Sequence, residues 1–496
     1  MGNKPPVAEA TETATETSIF TLSRNFLFIF LARVIDMAGQ FAPMFLMPRY
    51  LGASLYGDYG FALAFALIPI SFTYLGLDRI VTREIARNKE AAAAYLGAAL
   101  QARWLYMGLS LPLVVAAVYL LHLSSQIIIG IALALLAYNF MGDAFLHLAM
   151  FRAFERMRLE TLLTAVYQSL NIASVLIVIF FDLGFFGFFW SLSLAHFCRL
   201  VLASLCARKY FVKPKLRPQK RLIIFFIKET YIFGTFILLN QLLINVELLS
   251  LQFFQNSYAV SMFYAPHTLM LATSIFPNAF LAAIYPRLAR AAVGDQQSLR
   301  LIYEKCFRLL LFFGFLVFIP LFGWAETIIP FVFGPEFLPA VEVFRILCAG
   351  LVFVMLSFAF DYPLSAINRQ NSLIYCSLGA LGVKVLLSLL LIPSYGYVGA
   401  GLSAALGYLV FFGIGFAMAA RHIAGLPLLR LLLQPGLVAG VLVLGLAQVG
   451  GGSFPVLAGS LLVYCASLWW WRFFADDEIM FVKSLWEKIR SFQKTG

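Results

Sequence analysis

The chain has 496 residues, 62% of them hydrophobic and only 12% charged, with phenylalanine at 51 positions and a mean hydropathy of +0.89. Soluble proteins carry about 25% charged residues, so a soluble enzyme and a disordered chain are both excluded. Lys and Arg number 36 against 24 Asp and Glu, a net charge of +12. In a multi-pass membrane chain such a surplus is first a topology code, which makes nucleic acid a poor expectation as a partner.

The chain opens on a Thr, Ala and Glu tract with Pro5 and Pro6. It lacks the basic start, apolar run and cleavage site of a signal peptide, so residues 1–22 read as a disordered cytoplasmic tail. A spanning helix needs about 20 apolar residues, and fourteen such stretches follow. The first six, at 25–48, 56–77, 95–121, 127–151, 161–181 and 186–206, form an expected N-lobe over 23–207. A basic linker at 208–221 leads to spans at 230–253, 260–284, 306–333, 341–368, 373–392 and 398–420, an expected C-lobe over 222–425. Two more, 428–449 and 454–474, fill 426–474. Pro43, Pro69, Pro112, Pro320 and Pro363 lie inside spans, which membrane helices tolerate because neighbours re-satisfy the freed carbonyls. In the remaining 475–496, Asp477 caps a helix with Ile479, Val482, Leu485, Trp486, Ile489 and Phe492 on one face, suited to a membrane surface or to packing as a helical tail.

With a cytoplasmic N-terminus, 32 of the 36 basic residues fall in inside segments, while the turns at 121–126, 182–184, 394–397 and 450–453 hold none. A one-helix error would scramble that alternation, so the count is expected to be even, with both termini cytoplasmic. Four cations escape the code. Arg49 ends the first span as an interface anchor, and Arg345 lies about one turn into the tenth, within reach of the surface. Arg33 and Lys384 lie deeper, where a cation costs several kcal/mol unless it meets a partner or a wet cavity.

Asp36, Asp143, Glu247 and Asp361 also lie within spans. Arg33 and Asp36 stand three apart, which suits either an intrahelical ion pair or a cavity lined by both. Arg33, Asp36 and Gln40 share one face of the first span, and Asn240, Gln241, Asn245 and Glu247 cluster on the seventh. Such polar stripes serve as interhelical hydrogen-bonding surfaces or as transport paths. His147, His196 and His267 read as hydrogen-bonded packing residues. The six cysteines, all isolated, read as buried small hydrophobes. Neither a metal nor a cofactor is expected.

Spans one to six and seven to twelve resemble two copies of one unit, as transporter lobes often do. Gly57-Asp58-Tyr59-Gly60-Phe61-Ala62 opens the second span and Ser261-Met262-Phe263-Tyr264-Ala265-Pro266 the eighth, and both spans exit into Ala-Arg, at Ala86-Arg87 and Ala289-Arg290. Further stretches carry a family likeness. They are Arg49-Tyr50-Leu51-Gly52 with Tyr56-Gly57-Asp58-Tyr59-Gly60, Leu75-Gly76-Leu77-Asp78-Arg79 with Arg83-Glu84-Ile85-Ala86-Arg87, and Tyr264-Ala265 through Ile284-Tyr285-Pro286-Arg287-Leu288. Phe333-Gly334-Pro335-Glu336-Phe337 with Arg345-Ile346-Leu347, and Gly396-Tyr397-Val398-Gly399-Ala400-Gly401, complete the set. In their order over roughly residues 20–420, the chain resembles the O-antigen type, Wzx-like polysaccharide flippases of the multidrug/oligosaccharidyl-lipid/polysaccharide exporter (MOP) superfamily.

The resemblance implies an all-α membrane protein of about fourteen helices in the MATE-like fold, with two pseudo-symmetric six-helix lobes and two further helices. It implies alternating-access flipping of undecaprenyl-diphosphate-linked oligosaccharide across the bacterial inner membrane for polysaccharide biosynthesis, and a cationic central cavity. The chain offers no catalytic constellation and no phosphate-binding loop, so it is not expected to be an enzyme. Arg33, Lys384, Arg345, Asn240 and Gln241 are the expected substrate contacts. Asp36, Glu247 and Asp361 are expected to balance charge or to couple to H+ or Na+, and the basic inner ends to meet anionic lipid headgroups. Polysaccharide assembly proteins are expected partners. Competing readings are a cation-coupled drug exporter, a lipid II flippase and, more distantly, a membrane glycan polymerase or ligase.

Overall fold

A computed structural model describes residues 7–448 and 454–470 apart from positions 75, 218, 295, 368 and 424; side chains are described from Leu31 onward, with exceptions that include Arg33. Helices α1 (Val7–Tyr74), α2 (Leu77–Arg87), α3 (Ala92–Leu120), α4 (Ser125–Ala153), α5 (Met157–Phe180), α6 (Gly184–Tyr210) and α7 (Lys220–Phe254) come first. They are followed by α8 (Ser257–Ala272), α9 (Ile275–Gly294), α10 (Gln296–Gly323), α11 (Ala325–Phe333), a 3-10 turn at Pro335–Phe337 and α12 (Ala340–Ala366). The last are α13 (Gln370–His422), α14 (Leu428–Gln448) and α15 (Phe454–Trp470). Among the described residues ten helical stretches are long and apolar enough to cross a membrane, and two shorter apolar helices lie at Leu431–Leu446 and Ala458–Leu468. An all-helical, multi-pass chain is what the bilayer permits, since each span must satisfy its own backbone hydrogen bonds.

Within the described residues, each of the fourteen predicted spans is largely helical. Two pairs share one helix: α1 carries the first two, bent at Gly52 (φ 73°, ψ 170°), and α13 carries the eleventh and twelfth, bent at Gly396 (φ 55°, ψ −132°). Side chains resist such positive φ values, and glycine admits the sharp turn without a conventional loop. Two predicted spans are interrupted: the eighth breaks between α8 and α9, and the end of the ninth is the separate helix α11.

Two features differ from the sequence reading. Helix α1 extends back to Val7, through residues expected as a tail, because Ala and Glu favour helix and no Gly or Pro intervenes before Gly39. Helix α2 is a separate, amphipathic element. Its Leu77, Ile80, Val81 and Ile85 join a buried cluster with Leu96 and Leu100 of α3 and Leu146, Met150 and Phe151 of α4. The expected tail at 475–496 lies outside the described residues.

Two compact units divide the chain. The first comprises Met1–Ala265, Val332–Phe337 and Ala380–Ser403, the second Pro266–Phe331, Leu338–Gly379 and Ala404–Gly496. In the first unit, α4 packs on α6 and α1 on α4, α5 and α7. In the second, α10 packs on α12, α14 and α15. There Phe307 lies 6.3 Å from Phe412, Phe312 stacks on Tyr464 at 5.7 Å, and Phe360 meets Phe411 at 5.9 Å.

Candidate substrate and coupling sites

The predicted stripe on α7 ends in an enclosed charge pair. Lys384, on the arm of α13 before Gly396, and Glu247 are both fully buried, with Nζ 2.9 Å from Oε1. The same ammonium donates to the Leu243 carbonyl at 2.5 Å. Leu243 and Glu247 are four apart, so one face of α7 presents a carbonyl and a carboxylate to one cation. The single Ser403 hydroxyl hydrogen has a choice of acceptors: Glu247 Oε1 at 3.4 Å, the Lys384 carbonyl at 3.1 Å and Ser388 Oγ at 3.0 Å. Among the described residues Glu247 Oε2 has no hydrogen-bond partner. The sequence reading gave Lys384 either a partner or a wet cavity, with Glu247 among the acids expected to balance charge. In this structure it is enclosed by protein, and a carboxylate on the adjacent helix makes that position tolerable.

Higher on the stripe, Asn240 and Gln241 are half-buried, while Asn245 is buried and donates to the Gln241 carbonyl at 2.8 Å.

The stripe on α1 is built differently. Asp36 is half-buried and accepts from Gln168 Nε2 of α5 at 2.6 Å; the same nitrogen reaches the Asp36 carbonyl at 3.0 Å. Gln40, one turn on, lies 3.5 Å from the other carboxylate oxygen. The ion pair considered for Asp36 would involve Arg33, whose side chain is outside those described.

Behind this carboxylate lies a cation that the sequence reading assigned to topology. Arg199 of α6 is buried, with its guanidinium 4.7 Å from the Tyr167 ring and 4.8 Å from the Phe145 ring. Asp36 and Glu160 act on it electrostatically, yet among the described residues no carboxylate forms an ion pair with it, and its Nε has no acceptor. Tyr167 also stacks on His196 at 4.8 Å, with its hydroxyl 3.3 Å from Nε2.

Arg103 of α3 was likewise counted as cytoplasmic, but it is wholly buried, paired with Asp143 and bonded to the Asn139 side chain and carbonyl at 2.9 Å each. Both arginines lie about 16 Å in from the basic ends of their helices, at 1.5 Å per residue. The sequence reading grouped both with the loop cations, whereas the fold encloses them. The acid at Asp143 was the available signal for Arg103; nothing local in the sequence marks Arg199.

Arg345 and Asp361 belong to the second unit. Arg345 is partly exposed near the start of α12, bonded to Glu326 at 3.1 Å with its guanidinium 5.7 Å from the Phe322 ring, and Asp361 is half-buried. The three intramembrane histidines are hydrogen-bonded: His147 to the Asp143 carbonyl at 2.8 Å, His196 as above, and His267 to Tyr408 at 3.1 Å. Cys306, Cys348 and Cys376 are buried, but Cys465 is exposed. Among the described residues no His, Cys, Asp or Glu cluster has the arrangement of a metal site.

At the end away from the basic segments, the repeated motifs touch each other. A Cβ at Gly57 would run into the Ser257 carbonyl, so the two backbones meet there through a small residue, and one at Gly60 would run into the Tyr264 ring. Asp58 accepts from Ser257 and, at 3.1 Å, from Gln126. Tyr56 lies 5.3 Å from Tyr264 and 5.9 Å from Phe337. Within the first unit these contacts hold α1 against α4, α8 and the 3-10 turn.

Residues 22–292, more than half of the chain, match the family model for polysaccharide biosynthesis proteins. Residues 220–454 match the model described as lipid II flippase MurJ. No curated protein sequence matches the chain. Among solved structures, the inward closed conformation of lipid II flippase MurJ aligns with a TM-score of 0.68 at 12% identity, over 90% of this chain and 98% of that one. A MOP superfamily transporter from Pyrococcus furiosus aligns at 0.56 and 15% identity, over 81% and 95%. An outward-facing multidrug resistance MATE transporter aligns at 0.55 and 15%, over 81% and 96%. At these identities the likeness establishes a common fold.

Proposed function

The chain belongs to the polysaccharide biosynthesis protein family of the MOP superfamily, and from that premise we propose that it flips undecaprenyl-diphosphate-linked oligosaccharide repeat units across the bacterial inner membrane by alternating access. The observation that carries the proposal is the enclosed Lys384–Glu247 pair. Well-packed apolar residues serve stability as well as a buried ion pair does, so its presence mid-membrane points to use.

In this reading the contacts around Gly57 and Gly60 are the closed outer side of the cycle, and both termini are cytoplasmic. Opening separates the pair: Lys384 becomes available to the diphosphate, and Glu247 takes up H+ or Na+ in its place. Arg33 and Arg345 add cationic contacts, Asn240 and Gln241 hydrogen-bond sugar hydroxyls, and Asp36 and Asp361 balance charge or join the coupling. The lobes at 23–207 and 222–425, joined by the linker at 208–221, move against each other, and assembly proteins receive the unit.

Lipid II is the second reading, favoured by the match over residues 220–454. A deletion strain separates the readings. The proposal expects loss of surface polysaccharide with lipid-linked repeat units accumulating at the inner leaflet, both reversed by the wild-type chain. Normal polysaccharide export combined with accumulation of lipid II, or with raised drug sensitivity, would overturn it.

A further inference from the structure

The basic residues at the inside end fall into two electrostatic classes. Three on α2 and α4 are already neutralised: Arg83 pairs with Glu84 and Glu229 at 2.7 Å each, and Arg87 with Glu84 at 3.5 Å. Arg152 likewise pairs with Asp78 at 3.0 Å and Glu160 at 2.7 Å. The linker at 208–221 is the opposite case. It holds seven Lys and Arg and no Asp or Glu. Among the described residues none of the seven has an ion pair, and Lys213, Lys215, Arg217, Lys220 and Arg221 are exposed.

This segment is also fixed in place. Phe211 packs 5.4 Å from Phe151 and 4.7 Å from Phe154. The Lys215 amide donates to the Ala93 carbonyl at 2.8 Å, and Gln101 Nε2 donates to the Leu216 carbonyl at 2.6 Å. A Cβ at Gly97 would strike the Lys215 carbonyl, so the backbone of the linker lies directly on α3. An unneutralised segment held in one conformation binds an anion without first having to be ordered.

What continues from it along α3 is apolar. Gln101, which holds Leu216, begins a row spaced four residues apart, and the next members Leu105, Leu109 and Leu113 are 50%, 58% and 69% exposed. Residues at that spacing share one helix face. An anionic head and an acyl chain fit this pairing of a cationic rim with an apolar ridge better than a soluble anion does. We propose that the linker and α3 form a docking site for an anionic phospholipid, with its phosphate among Lys213, Lys215 and Arg217 and an acyl chain along Leu105, Leu109 and Leu113. The site does not depend on which lipid-linked substrate the protein carries.

Purified full-length protein in detergent, titrated with phosphatidylglycerol or phosphatidylcholine and read by native mass spectrometry, tests this. The wild type should retain phosphatidylglycerol preferentially. At about fivefold per cation near a membrane surface, the Lys213→Gln/Lys215→Gln/Arg217→Gln variant should lose that preference by more than tenfold and retain phosphatidylcholine as before. A Lys213→Arg/Lys215→Arg variant should keep it, and Arg83→Gln, already neutralised in the fold, should leave it within about twofold. Leu105→Gln/Leu109→Gln should weaken both lipids. Equal retention of the two lipids by the wild type, or unchanged preference in the triple Gln variant, would overturn the proposal.

Discussion

Asp36 on α1 and Glu247 on α7 are the acidic members of two polar stripes, yet their surroundings differ sharply. Glu247 is fully enclosed and meets a cation at 2.9 Å. Asp36 is half-buried, its direct partners among the described residues are the neutral amides of Gln168 and Gln40, and the nearby Arg199 interacts with it without forming an ion pair. A charge locked in a contact pair is closed to solutes until a helix moves. A charge held by neutral amides on the described side chains needs no such separation to be reached. In the proposed cycle, α7 and α13 therefore carry the conformational step, and Asp36 between α1 and α5 is reached without one.

The largest expected effect comes from breaking the closed pair. Lys384→Met leaves Glu247 buried without its cation and should destabilise the protein by about 3–5 kcal/mol, or force Glu247 to take up a proton. Thermal unfolding in detergent would measure this. Lys384→Met combined with Glu247→Leu should recover most of that stability, because two apolar side chains replace the pair. A double variant as unstable as the single one would show that the site needs its charges for folding.

Closing contacts at the far end come next. Gly57→Val places side-chain atoms against the Ser257 carbonyl, and should cost about 1–3 kcal/mol of the closed state. In protein carrying cysteines at that end, the variant should label faster than the parent; equal labelling would remove Gly57 from the closure.

Arg199→Met should change stability by less than about 2 kcal/mol, since what it loses is stacking on Tyr167 and Phe145. Asp36→Asn should cost about 1 kcal/mol, because the amide oxygen still accepts from Gln168. Its mark should be functional: glycan export that no longer responds to collapse of the proton or sodium gradient. A stability loss for Asp36→Asn as large as for Lys384→Met would erase the distinction between the two regions.

Much of this was legible in the sequence for a physical reason. Apolar length and the alternation of basic loops are imposed by the bilayer, so the spans and the polar stripes on α1 and α7 could be located residue by residue. The hidden parts depend on what other helices bring. Nothing near Lys384 in sequence shows that Glu247, on another helix, would neutralise it. Arg103 and Arg199 look like loop cations because they lie close to basic ends, and only the packing of α3 to α6 draws them inside. The linker at 208–221 reads as a simple spacer until its hydrogen bonds to α3 show that it is fixed.

The central claim is that the Lys384–Glu247 pair is retained for transport and not for folding. The direct measurement is transbilayer movement of a fluorescent undecaprenyl-diphosphate oligosaccharide in vesicles containing purified protein, comparing the wild type with the Lys384→Met/Glu247→Leu variant at matched stability. The account predicts movement with the wild type and loss of it in the variant. Movement at the wild-type rate in a variant without either charge would contradict it.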